Sequence, residues 1–359
     1  MNSTPKKTEK SSEINNKFSG AEYIRVGIVG AGLMGKWHAR AAKKAGGKIV
    51  AVTDIDEKRA KILAAKYPSA QSFASAAKLL EQQSIDVLHI CAPTDSHFEI
   101  AEIAINAAVN IFIEKPLAKS AAETIYLYDL ARKNNVKVCP AHQFAFQRSV
   151  EKAKENLPRI GRIIHLRATI CSAGGAGFSA EKLDEIAADI LPHPLSLLQI
   201  FTNNLLITEN FDSLQPQRGE LRITGQTNEI SMEIFISLNA RPTRNSFQIF
   251  GERGTIHLDL FHDFAFVETG KVSKLRKILH PFDLSARNFS AAFFNLLRRA
   301  ARFETAYPGL QNLVDRFYQS IRENTEPPVS AAQTINVAQI RDDIIYRAAE
   351  KFQARKSCE

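Results

Sequence analysis

The chain has 359 residues, of which 45% are hydrophobic and 24% charged, a composition typical of a globular protein with two domains. No stretch approaches about 18 consecutive apolar residues, which excludes an ordinary transmembrane helix. The formal net charge is +9 and the pI about 9.3, but the sequence has neither zinc-finger spacing nor an RNA-binding aromatic motif, so we expect no nucleic-acid partner.

The polar start of the chain, residues 1–20, lacks the apolar core of a signal peptide, and we expect a disordered tail there. The chain has four cysteines, which show no paired or metal-like spacing: Cys91, Cys139, Cys171 and Cys358. We therefore expect reduced thiols, a cytoplasmic location and no metal site.

From Tyr23 onward, short β-branched runs alternate with segments of helical spacing. The predicted strands are YIRVGIVG, KIVAVTD, IDVLHICAP, VNIFIE and VKVCPA, with a helix after each of the first four. This alternation indicates βαβ units and a parallel sheet. We expect an α/β Rossmann domain over residues 21–142 and an α+β substrate-binding and dimerisation domain over residues 143–359.

The turn after the first strand has the pattern GxGxxG and is predicted to bind a dinucleotide. The first glycine permits a tight turn, the second lets the backbone approach a pyrophosphate, and the third lets the helix pack on the strand. The phosphates would meet N–H groups at the helix N-terminus. The candidate residues of this loop are Gly30, Gly32, Leu33, Met34 and Gly35.

An acid, Asp54, ends the second predicted strand and is placed to accept hydrogen bonds from an adenosine ribose. Its charge would repel a 2′-phosphate, and Ile55 follows instead of an arginine, so NAD is favoured. Lys58 and Arg59 lie close by and keep NADP as the alternative cofactor.

Several separated motifs together resemble the glucose–fructose oxidoreductase/inositol dehydrogenase/MocA (Gfo/Idh/MocA) family. They are GAGLMGKWHA with its histidine His38, CAPTDSHFEIA, EKPLA and FGERGTIHLDL. The resemblance covers roughly residues 23–350. It implies a Rossmann domain followed by a domain with a large, mostly antiparallel sheet, whose outer face often forms a homo-oligomer.

The resemblance assigns a role to the stretch IFIEKPLAKS, where a strand ends at the ligand-binding edge of the sheet. Lys115 would reach the substrate hydroxyl beside the nicotinamide, and Pro116 would fix the backbone, with a peptide bond that can be cis. Glu114 would hold the lysine or contact the cofactor. The alternative is a solvated strand end that has no role in catalysis.

Three further residues would line the cofactor by resemblance: Pro93, Thr94 and His97, the last opening the next helix. In the alternative, Thr94 and Asp95 only cap that helix. In the segment CPAHQFAF, His142 is a candidate substrate contact, and a core histidine is the alternative.

The segment AADILPHPLSLLQIF contains Asp189 and His193, four residues apart. By resemblance, His193 is the base that removes the hydroxyl proton with help from Lys115, and Asp189 orients the site. The two prolines around His193 exclude a helix interior, but a helix that starts near Leu191 accepts them in its first turn. Asp189 would then precede that helix, and spacing alone does not bring it to His193; a capping Asp189 and a structural His193 are the alternative.

Residues 288–303, NFSAAFFNLLRRAARF, are predicted to form a basic amphipathic helix with Phe289, Phe293, Leu296, Leu297 and Ala300 on one face. We favour packing of that face on its own domain. Contact with an anionic membrane surface and arginine contacts to an anionic substrate are the alternatives.

The resemblance implies an NAD-dependent oxidoreductase that acts on a secondary alcohol or ketone of a sugar, a cyclitol or a nucleotide sugar. One rival is an enzyme of the same fold, a glycosidase or an epimerase, that uses NAD only transiently. Another rival is a dinucleotide-sensing binding protein without turnover. The combination of Lys115, Asp189 and His193 argues against the sensor.

Overall fold

The computed structural model describes residues 23–175, 177–270, 274–304 and 306–357. The predicted disordered tail lies outside the described residues. Close residues group into two units. The first unit contains residues 23–114, 127–139 and 313–330, and the second contains residues 115–126, 140–312 and 331–357.

The first unit is built on a six-stranded sheet with the order β3-β2-β1-β4-β5-β6. Its strands are β1 (Ile24–Val29), β2 (Gly47–Thr53), β3 (Gln71–Phe73), β4 (Val87–Ile90), β5 (Asn110–Ile113) and β6 (Val138–Pro140). The pairs β1–β2, β2–β3, β1–β4 and β4–β5 are all parallel. This order reverses direction beside β1, where Rossmann folds bind dinucleotides.

Helices connect the strands of this sheet, as the alternating pattern predicts. They are α1 (Leu33–Lys44), α2 (Glu57–Ala64), α3 (Ala76–Gln82), α4 (His97–Asn106) and α5 (Ala121–Lys133). The central strands β1 and β4 are buried and apolar except for the half-buried Arg25 and the buried His89, as expected of a sheet covered on both faces. The elements β3 and α3 were not predicted, because β3 is a short edge strand with two exposed residues and no apolar alternation.

The second unit is built on a seven-stranded sheet with the order β13-β12-β11-β7-β10-β9-β8. Its strands are β7 (Ile163–Cys171), β8 (Phe211–Leu214), β9 (Glu220–Thr227), β10 (Ile230–Ser237), β11 (Arg244–Gly251), β12 (Gly254–Asp259) and β13 (Phe264–Thr269). The pair β7–β10 is parallel and the other pairs are antiparallel. The prediction of a mostly antiparallel second sheet is confirmed.

Further helices follow in the chain, and most of them pack with the second sheet. They are α6 (Arg148–Ile160), α7 (Ala180–Ile190), α8 (Pro192–Thr202), α9 (Lys274–Ala301), α10 (Leu310–Arg322) and α11 (Ala331–Lys356). The core joins inward side chains of the sheet to apolar residues of α8 and α11, including Leu195, Leu198, Ile340 and Ile344. From Leu313 onward, α10 belongs to the first unit, where Phe317 and Tyr318 are fully buried.

The basic segment forms a longer helix than predicted, since α9 begins at Lys274. Its predicted apolar face does not pack on its own domain within the described residues: Phe289 is 69% exposed and Leu296 is 66% exposed. That expectation is therefore wrong. No helix in the described ranges is long and apolar enough to cross a membrane.

Candidate active site

The glycine loop joins β1 to α1, and its three glycines are required for different reasons. Gly30 has φ +89°, and a Cβ there would lie 2.6 Å from the carbonyl oxygen of Cys91. A Cβ on Gly35 would lie 1.8 Å from the carbonyl oxygen of Gly30, so this residue lets α1 approach the strand. Apart from chain neighbours, a Cβ on Gly32 would meet no heavy atom within 4 Å among the described residues. The space at Gly32 is therefore open, as the prediction of a pyrophosphate at this loop requires.

Asp54 lies directly beside this loop at the carboxyl end of β2. Its Oδ2 accepts a hydrogen bond from the Ala31 N–H at 2.6 Å, and its Oδ1 accepts one from the Asp56 N–H at 2.8 Å. Each carboxylate oxygen has a second lone pair for a ribose hydroxyl. The residues therefore fit a dinucleotide, with the phosphates at the N-terminus of α1 and the ribose at Asp54.

The segment after β4 forms a short 3₁₀ turn, Thr94–Ser96, that leads into α4. His97 opens α4 as predicted, and its buried ring contacts the Ala92 carbonyl oxygen through Nε2 at 2.9 Å. Ser96 is the N-cap residue of α4, so the helix does not start from Thr94 or Asp95. The contacts of Pro93, Thr94 and His97 with a cofactor stay predictions.

Glu114 follows β5, and its buried carboxylate lies at the end of a chain of hydrogen bonds. Its Oε1 is 2.9 Å from Nε2 of His38, the histidine of the glycine-loop motif. Nδ1 of His38 is 3.2 Å from Nδ1 of His89, and Nε2 of His89 is 2.8 Å from the hydroxyl of Tyr318. His38, His89 and Tyr318 are all fully buried. The four side chains connect α1, β4, β5 and α10 within the first unit.

The protons of this chain can be assigned from the contacts. Burial and the neighbouring His38 hold the pKa of His89 well below its ordinary value, and burial holds the pKa of Tyr318 well above its own. With the Glu114 carboxylate as the acceptor at the end of the chain, one assignment of tautomers satisfies all three contacts. The Tyr318 hydroxyl donates to His89, His89 donates from Nδ1 to His38, and His38 donates from Nε2 to Glu114. The network therefore directs a proton at the Glu114 carboxylate.

Lys115 is the next residue, and it packs within the second unit. The Lys115–Pro116 peptide bond is cis, as expected. The Lys115 ammonium donates to the backbone carbonyl of Asp189 at 2.9 Å. Asp189 lies in the last turn of α7, where carbonyl groups lack helical partners and attract a cation. The contact fixes Lys115 at the junction of α7 and α8.

The loop after Pro116 is hydrogen-bonded to α11. The buried Arg341 guanidinium donates to the carbonyl oxygens of Ala118, at 3.3 Å, and of Lys119. The Ala121 N–H donates to Oδ2 of Asp342 at 2.7 Å. These contacts fix the loop that follows Lys115, although α11 lies more than two hundred residues away in the sequence.

His193 lies in the first turn of α8, whose N-cap is Leu191, so the predicted helix start is confirmed. Its ring is buried and stacks on Phe144, with centroids 4.1 Å apart and planes 17° apart. Burial, the Lys115 charge and His142 all hold the pKa of His193 well below its ordinary value. His193 is therefore neutral near pH 7, which is the state a general base requires.

Two buried polar atoms, on His193 and on Gln143, have no hydrogen-bond partner among the described residues. They are Nδ1 of His193 and Oε1 of Gln143. Buried polar groups in folded proteins are nearly always paired, and exceptions often lie where a ligand binds. His142, also buried, lies beside Gln143 in the chain. The second unit thus brings Lys115, His142 and His193 together, while the role of the Asp189 carboxylate stays a prediction.

Three residues of the candidate site were not predicted from the sequence: His89, Tyr318 and Phe144. A histidine within the apolar strand VLHI was a usable signal for His89, because a buried imidazole needs polar partners. Tyr318 gave no such signal, since it lies 229 residues from His89 in the sequence.

Comparison with known proteins agrees with these motifs. Residues 24–142 match the model of GFO_IDH_MocA, an oxidoreductase family with an NAD-binding Rossmann fold. The chain is 32% identical to inositol 2-dehydrogenase of Salmonella paratyphi B over 140 residues, 38% of this chain and 41% of that protein. It is 27% identical to UDP-N-acetylglucosamine 3-dehydrogenase of Acidithiobacillus ferrooxidans over 181 residues, 50% of this chain and 55% of that protein. The matches thus span about half the length of these curated relatives.

A solved structure extends the likeness to both sheets. Levoglucosan dehydrogenase, in complex with NADH and levoglucosan, matches with a TM-score of 0.74 and 19% identity over 92% of this chain and 98% of that one. At this identity the likeness shows the fold alone. The glycine loop, the family match and the fold agree: residues 24–142 are similar to the NAD-binding Rossmann fold of the Gfo/Idh/MocA oxidoreductase family.

Proposed function

We propose that the protein is an NAD-dependent oxidoreductase that moves a hydride between the nicotinamide and a secondary alcohol or ketone. One observation carries this proposal: the Lys115 ammonium is fixed on the Asp189 carbonyl while its charge acts on the neutral, buried His193. A cation and a neutral base close together are the pair that alcohol oxidation needs. Lys115 also follows directly on Glu114, at the sheet edge where Rossmann folds bind their ligands.

Each residue has a defined role in this proposal. Bound NAD⁺ supplies the hydride acceptor. His193 removes the hydroxyl proton of the substrate, while Lys115 donates a hydrogen bond to the same oxygen and stabilises its negative charge. The carbon–hydrogen bond of the carbinol gives up its electron pair as hydride, and a carbonyl group forms. In the reverse direction, protonated His193 returns the proton to the ketone oxygen.

We propose a sugar, a cyclitol or a nucleotide sugar as the substrate. The relatives named above are dehydrogenases of inositol, UDP-N-acetylglucosamine and levoglucosan. These molecules share secondary hydroxyl groups on a ring, which supports the class but not one member of it. Nδ1 of His193 and Oε1 of Gln143, which have no partner among the residues that the structure describes, are suitable partners for such hydroxyls.

We also propose a homo-oligomer that forms through the outer face of the second sheet. On that face, polar side chains pair across strands, including Arg167 with Glu233 at 2.9 Å and His257 with Glu268 at 2.9 Å. Arg167 also lies over the ring of Phe250, 5.6 Å from its centroid. An ordered face of arginine and aromatic groups is typical of a protein interface. The cytoplasmic location stays a prediction.

The test combines cofactor binding with a substrate screen. The purified protein is titrated with NAD(H) and NADP(H), then mixed with NAD⁺ and a panel of sugars, cyclitols and UDP-sugars while absorbance of reduced nicotinamide is followed. Net formation of NADH supports the proposed dehydrogenase. A retained cofactor that is reduced and reoxidised without net NADH would favour the transient-redox rival, and tight binding without any redox change would favour the sensor.

A further inference from the structure

Helix α9 has an apolar stripe along its length. At 100° per residue, six large apolar side chains fall within an arc of about 100°, while Leu284 and Phe294 lie outside it. The six are Ile278, Phe282, Phe289, Phe293, Leu296 and Leu297. A helix of 28 residues is about 42 Å long. The stripe is therefore an extended apolar surface and not a single exposed apolar side chain.

The orientation of α9 is the reverse of that of an ordinary amphipathic helix. Its polar side contacts the second unit: the Asn295 amide and the Arg299 guanidinium both donate to the His262 carbonyl oxygen, at 2.8 and 2.9 Å. Arg287 donates to the Val267 carbonyl oxygen at 3.4 Å. Polar groups that could remain in water therefore face the protein, and the apolar stripe faces outward.

The side chains of the stripe are strongly exposed to solvent. Phe282 is 73% exposed, and Phe289 and Leu296 are exposed to a similar degree. Proteins rarely leave a contiguous apolar patch of this kind in water, because covering it is favourable by roughly 25 cal/mol per Å². The stripe is therefore expected to have a partner.

The charge of the segment identifies the chemistry of that partner. Residues 271–304 contain eight lysines and arginines and two acidic residues, Asp283 and Glu304, a net +6 of the +9 carried by the chain. Asp283 pairs with Arg287, and Glu304 pairs with Arg298, so no acid remains in the segment to neutralise the other cations. An anionic surface complements this charge.

We propose that α9 binds the surface of an anionic lipid bilayer, with its apolar stripe in the region between headgroups and acyl chains. Cationic amphipathic helices bind in this way. A second copy of the chain fits less well, since two equally cationic helices would repel each other and interface cores are depleted in charge. The inference does not depend on the proposed reaction.

The test uses the full-length protein and vesicles of phosphatidylcholine with or without phosphatidylglycerol, separated by sedimentation. We expect the protein to sediment with the anionic vesicles, to remain in solution with pure phosphatidylcholine, and to be released as salt screens the charge. Absence of binding to the anionic vesicles would overturn the proposal.

A triple variant tests the stripe itself. Phe282→Gln with Phe289→Gln and Phe293→Gln keeps good helix formers in α9 and should lower vesicle binding by about 100-fold. Ile62→Gln with Leu205→Gln and Ile207→Gln removes three exposed apolar side chains elsewhere and should bind as the wild type does. Equal binding of the two variants would contradict the proposal. A second combination of results would also contradict the proposal: no vesicle binding by the wild type and a smaller oligomer for the α9 variant. A second copy of the chain would then be the partner that covers the stripe.

Discussion

Nε2 of His38 lies 2.9 Å from Oε1 of Glu114, the residue directly before Lys115. The histidine of the glycine-loop motif and the acid of the Glu-Lys-Pro motif are therefore hydrogen-bonded partners, although 76 residues separate them. His89 and Tyr318 extend the contact into the core. Two motifs that look independent in the sequence thus form one buried network.

The end of this network is open to a direct test. Tyr318→Phe removes the donor to Nε2 of His89 and leaves a buried acceptor unpaired, which should lower the free energy of unfolding by about 1–3 kcal/mol. Urea denaturation measures this loss. Tyr346→Phe is the matched control, because the Tyr346 hydroxyl bonds Glu350 at the surface, and little change is expected there. Equal effects of the two substitutions would argue against a buried hydrogen bond at Tyr318.

The two glycines at the start of α1 should respond differently to the same substitution. Gly32→Ala places a methyl group in open space, so the fold should remain stable while affinity for NADH falls by about 10-fold or more, because the methyl occupies the path of the pyrophosphate. Gly35→Ala creates a clash with the Gly30 carbonyl oxygen and should lower the melting temperature. Thermal unfolding and NADH fluorescence titration separate the two effects. Unchanged NADH affinity in Gly32→Ala would place the phosphates elsewhere.

Asp54 should control the choice between NAD and NADP. Asp54→Asn removes the charge that repels a 2′-phosphate, so the ratio of NAD to NADP affinity should fall by about 10-fold. The ratio of dissociation constants is the measurement. Asp56→Asn removes the same charge two residues away, at the N-cap of α2, and should leave the ratio unchanged. A ratio that moves only in Asp56→Asn would reassign the ribose contact.

The pKa of His193 predicts the acid limb of the pH profile. The base acts in its neutral form, and its pKa lies well below the ordinary value, so kcat/KM should remain high as pH falls through 6.5 and decline only at lower pH. His142→Asn removes one cause of the lowered pKa and should move the acid limb to higher pH. His193→Gln should abolish the limb together with most activity. An acid limb that does not move in His142→Asn would show that another group titrates.

The sequence predicts the local backbone structure around the candidate site. The glycine loop, Asp54 and the start of α8 at Pro192 follow from residue types at short spacing, and local rules of turn and helix geometry determine them. The orientation of Lys115 toward a substrate stays a prediction, and its observed partner, the Asp189 carbonyl group, was not predicted. A backbone acceptor has no signature in the sequence.

Long-range contacts limited the remaining predictions. No local pattern connects Tyr318 to His89 or Arg341 to the loop after Pro116, because these contacts exist only once separate elements have packed. The apolar face of α9 was predicted from its periodicity, but periodicity does not determine which face of a helix packs on the rest of the protein. Contacts at His262 and Val267 decide that orientation.

Lys115 is proposed as a catalytic residue, and the most direct test of this role is substrate-dependent formation of NADH by the Lys115→Met variant. We expect this variant to bind NADH as the wild type does but to lose at least about 100-fold in kcat/KM. Lys119→Met removes an exposed lysine of the same loop and should retain activity. Retention of activity in Lys115→Met, with NADH binding intact, would contradict the account.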